Sequence, residues 1–265
     1  MKPILTVENL SVSFTRYGRG LSRVELNPIR RLSLAVEPGQ VAAVVGASGS
    51  GKSLLAHAIF YLLPRNARVS GTLLYDGVPL TRPLAESLRG RELALIPQGV
   101  TYLDPMMKVG PQLCRGQRDQ ASRLRCRQAL GRYGLGPEVE ELYPFQLSGG
   151  MARRVLIASA VAGEPRLVVA DEPTPGLDLR AAGRVLGHFR ELAGQGAGVL
   201  FITHDLNLAL TVADKIVVLQ NGQTVDEVPA CALQKGEGLT HPYTRALWRA
   251  MPQNAFDPGE EVGGP

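Results

Sequence analysis

Gly46-Ala47-Ser48-Gly49-Ser50-Gly51-Lys52-Ser53 follows an apolar run, Val41-Ala42-Ala43-Val44-Val45, and fits the pattern G-x-x-x-x-G-K-[ST] without a mismatch. Glycines let a backbone curl until several N–H groups point at one anion, and a helix beginning near Lys52 adds its positive end. The stretch reads as a nucleotide site. Lys52 is expected to reach the β- and γ-phosphates, where one contact at about 4 Å and an effective dielectric near 20 gains roughly 4 kcal/mol before desolvation. Ser53 is expected to ligate Mg²⁺ through its hydroxyl.

The flanking sequence supplies the context that such a loop needs. Val41-Val45 is apolar on both faces, as a central parallel strand is, and residues 53–63 carry Leu54, Leu55, Ala58, Ile59 and Leu62 at helical spacing before Pro64. Towards the N-terminus, Val7, Leu10, Val12 and Phe14, then Leu32, Leu34 and Val36, alternate with polar residues as half-buried antiparallel strands do. Between them, residues 16–31 are rich in glycine and arginine and read as a loop or a ragged strand. Residues 69–75 form a strand closed by the turn Asp76-Gly77, and residues 93–96 form a short one ending at Pro97-Gln98.

Polar, arginine-rich sequence with a sparse apolar face fills residues 109–147, and Leu147-Ser148-Gly149-Gly150-Met151 then opens a helix. This predicts an inserted helical lobe at about residues 109–162. Strands at 167–170, 199–203 and 216–219 alternate with helices at 179–192 and 206–213, which argues for a mostly parallel sheet with right-handed crossovers. The expected fold is therefore α/β, a P-loop NTPase core with an antiparallel β subdomain at the N-terminus and a helical lobe, occupying residues 1–252. Residues 253–265, rich in Pro, Gly and acid, are expected to be a disordered tail.

Three strand ends should bring chemistry to the phosphate loop, because ligands gather at the carboxyl ends of parallel strands. Asp171 ends one apolar strand and is expected to hold Mg²⁺ through its water shell. Glu172, one residue on, is placed to orient and deprotonate an attacking water. His204 ends a second strand and is expected at the γ-phosphate. Gln98, past the third, can offer its amide oxygen to Mg²⁺ or to the water.

Composition excludes several other classes. The chain has 265 residues, 45% hydrophobic and 20% charged, a net charge of +5 spread along the sequence, and three cysteines with no C-x-x-C pair. Scattered arginines give no nucleic-acid footprint, and the unpaired thiols suit a reducing compartment. No apolar run approaches the 18 residues or so of a membrane span.

Taken in order, the phosphate loop, Gln98, Ser148-Gly149-Gly150, Asp171-Glu172, Gly176-Leu177-Asp178 and His204 resemble the nucleotide-binding subunit of an ATP-binding cassette (ABC) transporter over nearly the whole chain. That resemblance implies ATP and Mg²⁺ as ligands. It implies two such subunits meeting head to tail, Ser148, Gly149, Gly150 and Asp178 of one completing the site at the other's loop. Leu142-Tyr143-Pro144-Phe145, Met151 and His241-Pro242-Tyr243-Thr244-Arg245 resemble the peptide and nickel importer branch. The implied partners are a second, different ATPase chain, two transmembrane permease subunits and an extracytoplasmic solute-binding protein, with no nucleic acid. The subunit would sit peripherally on the cytoplasmic face of the inner membrane, held there by the permeases. The short segment after Cys231, without further cysteines, points to nickel or a metal chelate as cargo, with di- or oligopeptides as the alternative. An ABC ATPase acting on DNA or ribosomes is the remote alternative, since no long coiled coil or second cassette is present.

The sequence departs from the family pattern in three places. The register of the adenine-stacking aromatic falls near Leu26, with Tyr17 and Phe14 close by. The stretch after Gln98, residues 99–105, is one residue short. The segment Pro173-Thr174-Pro175-Gly176 carries a second proline and a glycine ahead of Asp178.

Overall fold

The computed structural model describes residues 2–17, 23–114, 119–251 and 254. The expected tail at 253–265 falls outside the described residues except for Asn254.

Two sheets organise the chain. In the first, β1 (Leu5–Tyr17) pairs antiparallel with β2 (Arg23–Val36) and β4 (Ala67–Tyr75), and the two-residue β5 (Val78–Pro79) closes its edge. The second runs β10 (Gln223–Pro229), β9 (Lys215–Gln220), β3 (Val41–Val45), β8 (Gly198–Thr203), β7 (Leu167–Asp171) and β6 (Leu93–Ile96), parallel except for β10. The hairpin turns Asp76-Gly77 and Asn221-Gly222 have positive φ at both residues, which is why Asp and Asn precede glycine there.

Of the two readings of residues 16–31, a loop or a ragged strand, the second holds where they are described: 16–17 belong to β1 and 23–31 to β2. From Arg23 to Leu26 the backbone pairs residue by residue with β1 before the register shifts, yet Glu25, Leu26 and Asn27 are exposed, so no apolar alternation betrays the strand. A hairpin held by its ladder leaves little trace in hydrophobic periodicity.

Alternate residues of the parallel sheet feed two different cores. Ala42, Val44, Val169, Leu200, Ile202 and Val217 face the N-terminal sheet and helix α1 (Lys52–Ile59), packing with Leu5, Val36, Leu55 and Ile59. Val41, Ala43, Val168, Ala170, Val199 and Phe201 face the other way, onto α6 (Leu179–Gly194), α7 (Leu206–Val212) and α5 (Gly149–Val161). Burial on both faces explains the unbroken apolar runs of these strands.

Helix α1 ends earlier than its apolar spacing predicts, at Ile59 rather than Leu63. Tyr61 takes φ 50°, Tyr61 N–H donates to Ala58 O at 3.0 Å and Leu62 N–H to His57 O at 2.8 Å. That is a Schellman stop with tyrosine in the position glycine usually holds.

Between the neighbouring strands β6 and β7 the described residues form α3 (Val109–Leu113), α4 (Gln120–Arg132), α5 and three 3₁₀ turns, while α2 (Arg82–Leu88) precedes β6. Their buried residues Val109, Leu130, Tyr133 and Val139 belong to the same core as the sheet face above. Two short helices, α8 (Ala230–Gln234) and α9 (Pro242–Arg249), follow β10. Among the described residues no helix is long and apolar enough to cross a membrane.

Candidate functional site

The phosphate loop leaves β3 at Val45 and enters α1 at Lys52. Glycine is required at two of its turns: a Cβ on Gly46 would lie 2.3 Å from Leu219 O, and one on Gly51, at φ +95°, would lie 2.9 Å from both Ile29 Cγ1 and Pro28 O. No side chain caps the N-terminus of α1, so its first amides stay open to an anion. Lys52 Nζ donates to Gly46 O at 2.7 Å and Ala47 O at 2.9 Å, bracing the loop from inside. Burial lowers the Lys52 pKa, while the carboxylates of Glu172 and Asp171 oppose that shift. An open cleft of about 260 Å³ lies against Ser48, Gly49, Gly51, Lys52, Ser53, Gln98 and Glu172.

Asp171 is the last residue of β7, and burial raises its pKa against a hydrogen bond with the Ser53 side chain. Its Oδ1 is buried without a partner. Glu172 turns away from the strand at φ 48°, its N–H donating to Ile202 O at 2.9 Å. His204, just beyond β8, holds one oxygen of that carboxylate: the backbone N–H lies 3.0 Å from Oε1 and ring Nδ1 lies 2.7 Å from it. A carboxylate only accepts, so Nδ1 carries the proton in this contact. The other oxygen, Oε2, is buried and unpartnered. A buried acceptor left open costs on the order of 1–3 kcal/mol, a cost a bound water or ligand would relieve.

The donor set fits Mg²⁺. Ser53 and Gln98 line the cleft with a hydroxyl and an amide oxygen, and Asp171, whose carboxylate hydrogen-bonds with the Ser53 side chain, adds an orphaned oxygen next to them; all three are hard oxygen donors. Among the described residues no cluster of three His, Cys, Asp or Glu could hold a metal ion.

Other residues singled out from the sequence do not line this cleft. Ser148 and Gly149 are exposed, and Ser148 Oγ accepts from Met151 N at 3.2 Å as the N-cap of its own helix α5. A Cβ on Gly150 would come within 3.3 Å of Gly176 O, so the signature turn lies beside the segment leading to Asp178. Asp178 caps α6, accepting from Ala181 N at 2.8 Å, and this bond holds its carboxyl below the usual range. Leu26 and Phe14 sit opposite each other across β1 and β2, Leu26 48% exposed and Phe14 packed against the core. The Tyr17 side chain lies outside the described part of the chain.

Two further residues, which the sequence does not assign to the site, hold it from other elements. Arg153, on α5, reaches from the signature helix to Glu172 O at 3.1 Å and Pro97 O at 3.4 Å, tying together the turn at Glu172 and the segment before Gln98. Tyr243, from α9, accepts from Ala47 N in the phosphate loop at 3.1 Å. Its run His241-Pro242-Tyr243-Thr244 is visible in the sequence, but nothing there says which element it meets.

A phosphate loop on a parallel sheet, with a strand-end Asp-Glu pair and a histidine holding the glutamate, defines a P-loop nucleotide-hydrolysing domain. The ABC transporter family profile matches residues 29–175, and the chain belongs to that family. It is an ABC ATPase domain, homologous to the ATP-hydrolysing cassettes of transporters.

Its relatives include the dipeptide transport ATP-binding protein DppD of Escherichia coli, 37% identical over 96% of this chain and 80% of that protein. The oligopeptide transport ATP-binding protein OppD of Bacillus subtilis is 35% identical over 98% of this chain and 75% of that one. The uncharacterized ABC transporter ATP-binding protein YejF of E. coli is 36% identical over 94% of this chain, which spans 49% of its length. The dimeric structure of a bacterial ABC transporter cassette superposes with a TM-score of 0.73 at 25% identity, over 85% of this chain and 98% of that one.

Proposed function

We propose that this chain is the ATP-hydrolysing subunit of an importer for di- or oligopeptides. The observation that carries the reading is Glu172: one carboxylate oxygen fixed by His204, the other buried and unpartnered beside Lys52 and the phosphate loop. That is the arrangement a general base needs. The loop amides and Lys52 bind the triphosphate, Glu172 orients a water and accepts its proton, and His204 keeps the base in place. Ser53, Asp171 and Gln98 would hold Mg²⁺, which when bound neutralises charge on the phosphates.

The cargo assignment changes. The short C-terminal segment suggested nickel or a metal chelate, but DppD and OppD are named for dipeptide and oligopeptide transport and match almost the whole chain. Peptide is the better-supported substrate class. Permease subunits, a solute-binding protein and attachment to the inner membrane follow from the importer reading.

Ser148 and Gly149 are exposed and self-capped rather than turned onto the chain's own cleft, which supports pairing with a second cassette, as in the dimeric cassette structure. A groove lined by Phe60, Leu62, Leu95, Pro97, Tyr102 and Leu156, of about 460 Å³, lies next to Gln98 and suits an apolar permease segment. The test is Glu172→Gln in the assembled transporter. ATP binding is expected to persist while turnover falls at least ~100-fold, as for loss of a positioned base. Near-normal hydrolysis by that variant would sink the assignment.

A further inference from the structure

The run His241-Pro242-Tyr243-Thr244 lies some two hundred residues beyond the phosphate loop in the chain, yet its tyrosine touches that loop. Ala47 N–H donates to Tyr243 Oη at 3.1 Å, while the carbonyl of the same peptide, Gly46 O, accepts from Lys52 Nζ at 2.7 Å. One peptide of the loop is therefore pinned at both ends. The N–H is turned towards Tyr243, and the carbonyl is turned towards the lysine.

The tyrosine is itself held in place. Asp226, buried on β10, accepts from His241 N at 3.0 Å through Oδ2 and from the Thr240 hydroxyl through Oδ1. His241 is the N-cap of α9, its Nδ1 accepting from Tyr243 N at 3.1 Å. Arg245 closes the same turn by donating to Leu239 O at 3.2 Å and Thr240 O at 3.3 Å. Burial alone would favour a neutral Asp226, but the hydrogen bonds from Thr240 and the His241 amide hold its carboxyl below the usual range. Thr244 is 1% exposed, and Tyr243, Leu247 and Trp248 pack on the core beneath the parallel sheet.

We propose that Tyr243 is a positioning residue of the nucleotide site, through which the segment after the last strand sets the conformation of the phosphate loop. A loop that cradles phosphate needs its inner amides aimed at one point, and a peptide free to flip spoils that aim. The Tyr243 hydroxyl fixes the first peptide after Gly46, and the Asp226 anchor fixes the tyrosine. This deepens the ATP-site reading and rests on it.

The test compares Tyr243→Phe with the wild-type full chain and with Lys52→Ala. Equilibrium ATP binding is measured by calorimetry, the melting temperature by circular dichroism, and Ala47 amide exchange by NMR. Loss of one hydrogen bond acceptor is expected to weaken ATP binding about 2- to 10-fold and speed Ala47 exchange by a similar factor. The melting temperature should change by no more than about 1 °C, since the ring remains to pack. Asp226→Asn is expected to shift affinity in the same direction. Unchanged ATP affinity in Tyr243→Phe, with Lys52→Ala still losing it, overturns the positioning role and keeps the ATP site. A lower melting temperature with unchanged affinity and exchange makes Tyr243 merely structural and also overturns it. No ATP binding by the wild-type chain overturns both.

Discussion

Two turns of this chain end in a helix N-terminus, and the chain treats them in opposite ways. The phosphate loop enters α1 with no side-chain cap, its lysine folded inwards and Gly46 and Gly51 pressed against Leu219, Pro28 and Ile29. The signature turn enters α5 with Ser148 capping its own helix and Ser148 and Gly149 exposed. An uncapped helix end leaves donors waiting for a ligand, whereas a capped, exposed one is stable alone and free to meet another surface. The first turn is built to bind within the chain, and the second to be presented.

That contrast is broken most severely by Lys52→Ala. The variant removes the charge proposed to meet the phosphates and leaves the Gly46 and Ala47 carbonyls unbraced. ATP affinity is expected to fall about 100-fold or more, measured by equilibrium binding. Affinity within ~3-fold of wild type would mean that the loop does not hold the triphosphate.

His204→Ala is expected to act on turnover rather than binding. Glu172 keeps the backbone N–H of residue 204 but loses Nδ1, so kcat should drop on the order of 10- to 100-fold while ATP affinity stays near normal. A rise in KM without a fall in kcat would show that the histidine binds substrate instead of holding the base.

Ser148→Ala separates the two turns directly. The isolated chain should bind ATP as before and lose about 1 kcal/mol of stability from the missing cap, read by urea unfolding. In the assembled transporter the same change should lower turnover. A loss of ATP binding in the isolated chain would place Ser148 in its own cleft.

The smallest effect concerns what lies beneath the signature turn. Arg154 donates to Gly150 O at 3.2 Å and Tyr133 O at 3.1 Å, and the Tyr133 hydroxyl meets Nδ1 of His188 on α6. Burial, then the nearby Arg132, push the His188 pKa down to about 4 from 6.5, with Glu191 opposing. A histidine kept neutral in the fold but free to charge when unfolded stabilises above pH 6.5 and loses that contribution as pH falls towards 4. Stability should therefore decline between pH 6.5 and about 4, and His188→Gln should flatten that decline. An unchanged slope in the variant would remove His188 from the account.

Much of the first turn was legible in the sequence because its requirements are local. Eight consecutive residues set the backbone of the loop, and the doubly buried strands β3, β7 and β8 show as apolar runs with chemistry at their ends. What stayed hidden depends on long-range packing. The strand at Arg23 is held by pairing with exposed side chains, so no period reports it. Arg153 and Tyr243 act across the fold on backbone groups of Glu172, Pro97 and Ala47, and an arginine or tyrosine on a helix looks the same whether or not it finds such a carbonyl or amide. The end of α1 was missed because Tyr61 adopts a left-handed conformation that tyrosine rarely takes. The reading of Asp178 as part of a nucleotide site gains a second role here, since its carboxylate already caps α6.

Whether the two turns belong to one composite site on two chains is most directly measured by sedimentation velocity on the Glu172→Gln chain mixed with the cassette subunit that purifies with it, or with itself if none does. With ATP bound and hydrolysis blocked, the cassettes are expected to sediment as a pair that falls apart without nucleotide or when Ser148→Arg is introduced. Cassettes that remain single with ATP, or pair equally well without it, would contradict a site shared between the phosphate loop of one chain and the signature turn of another.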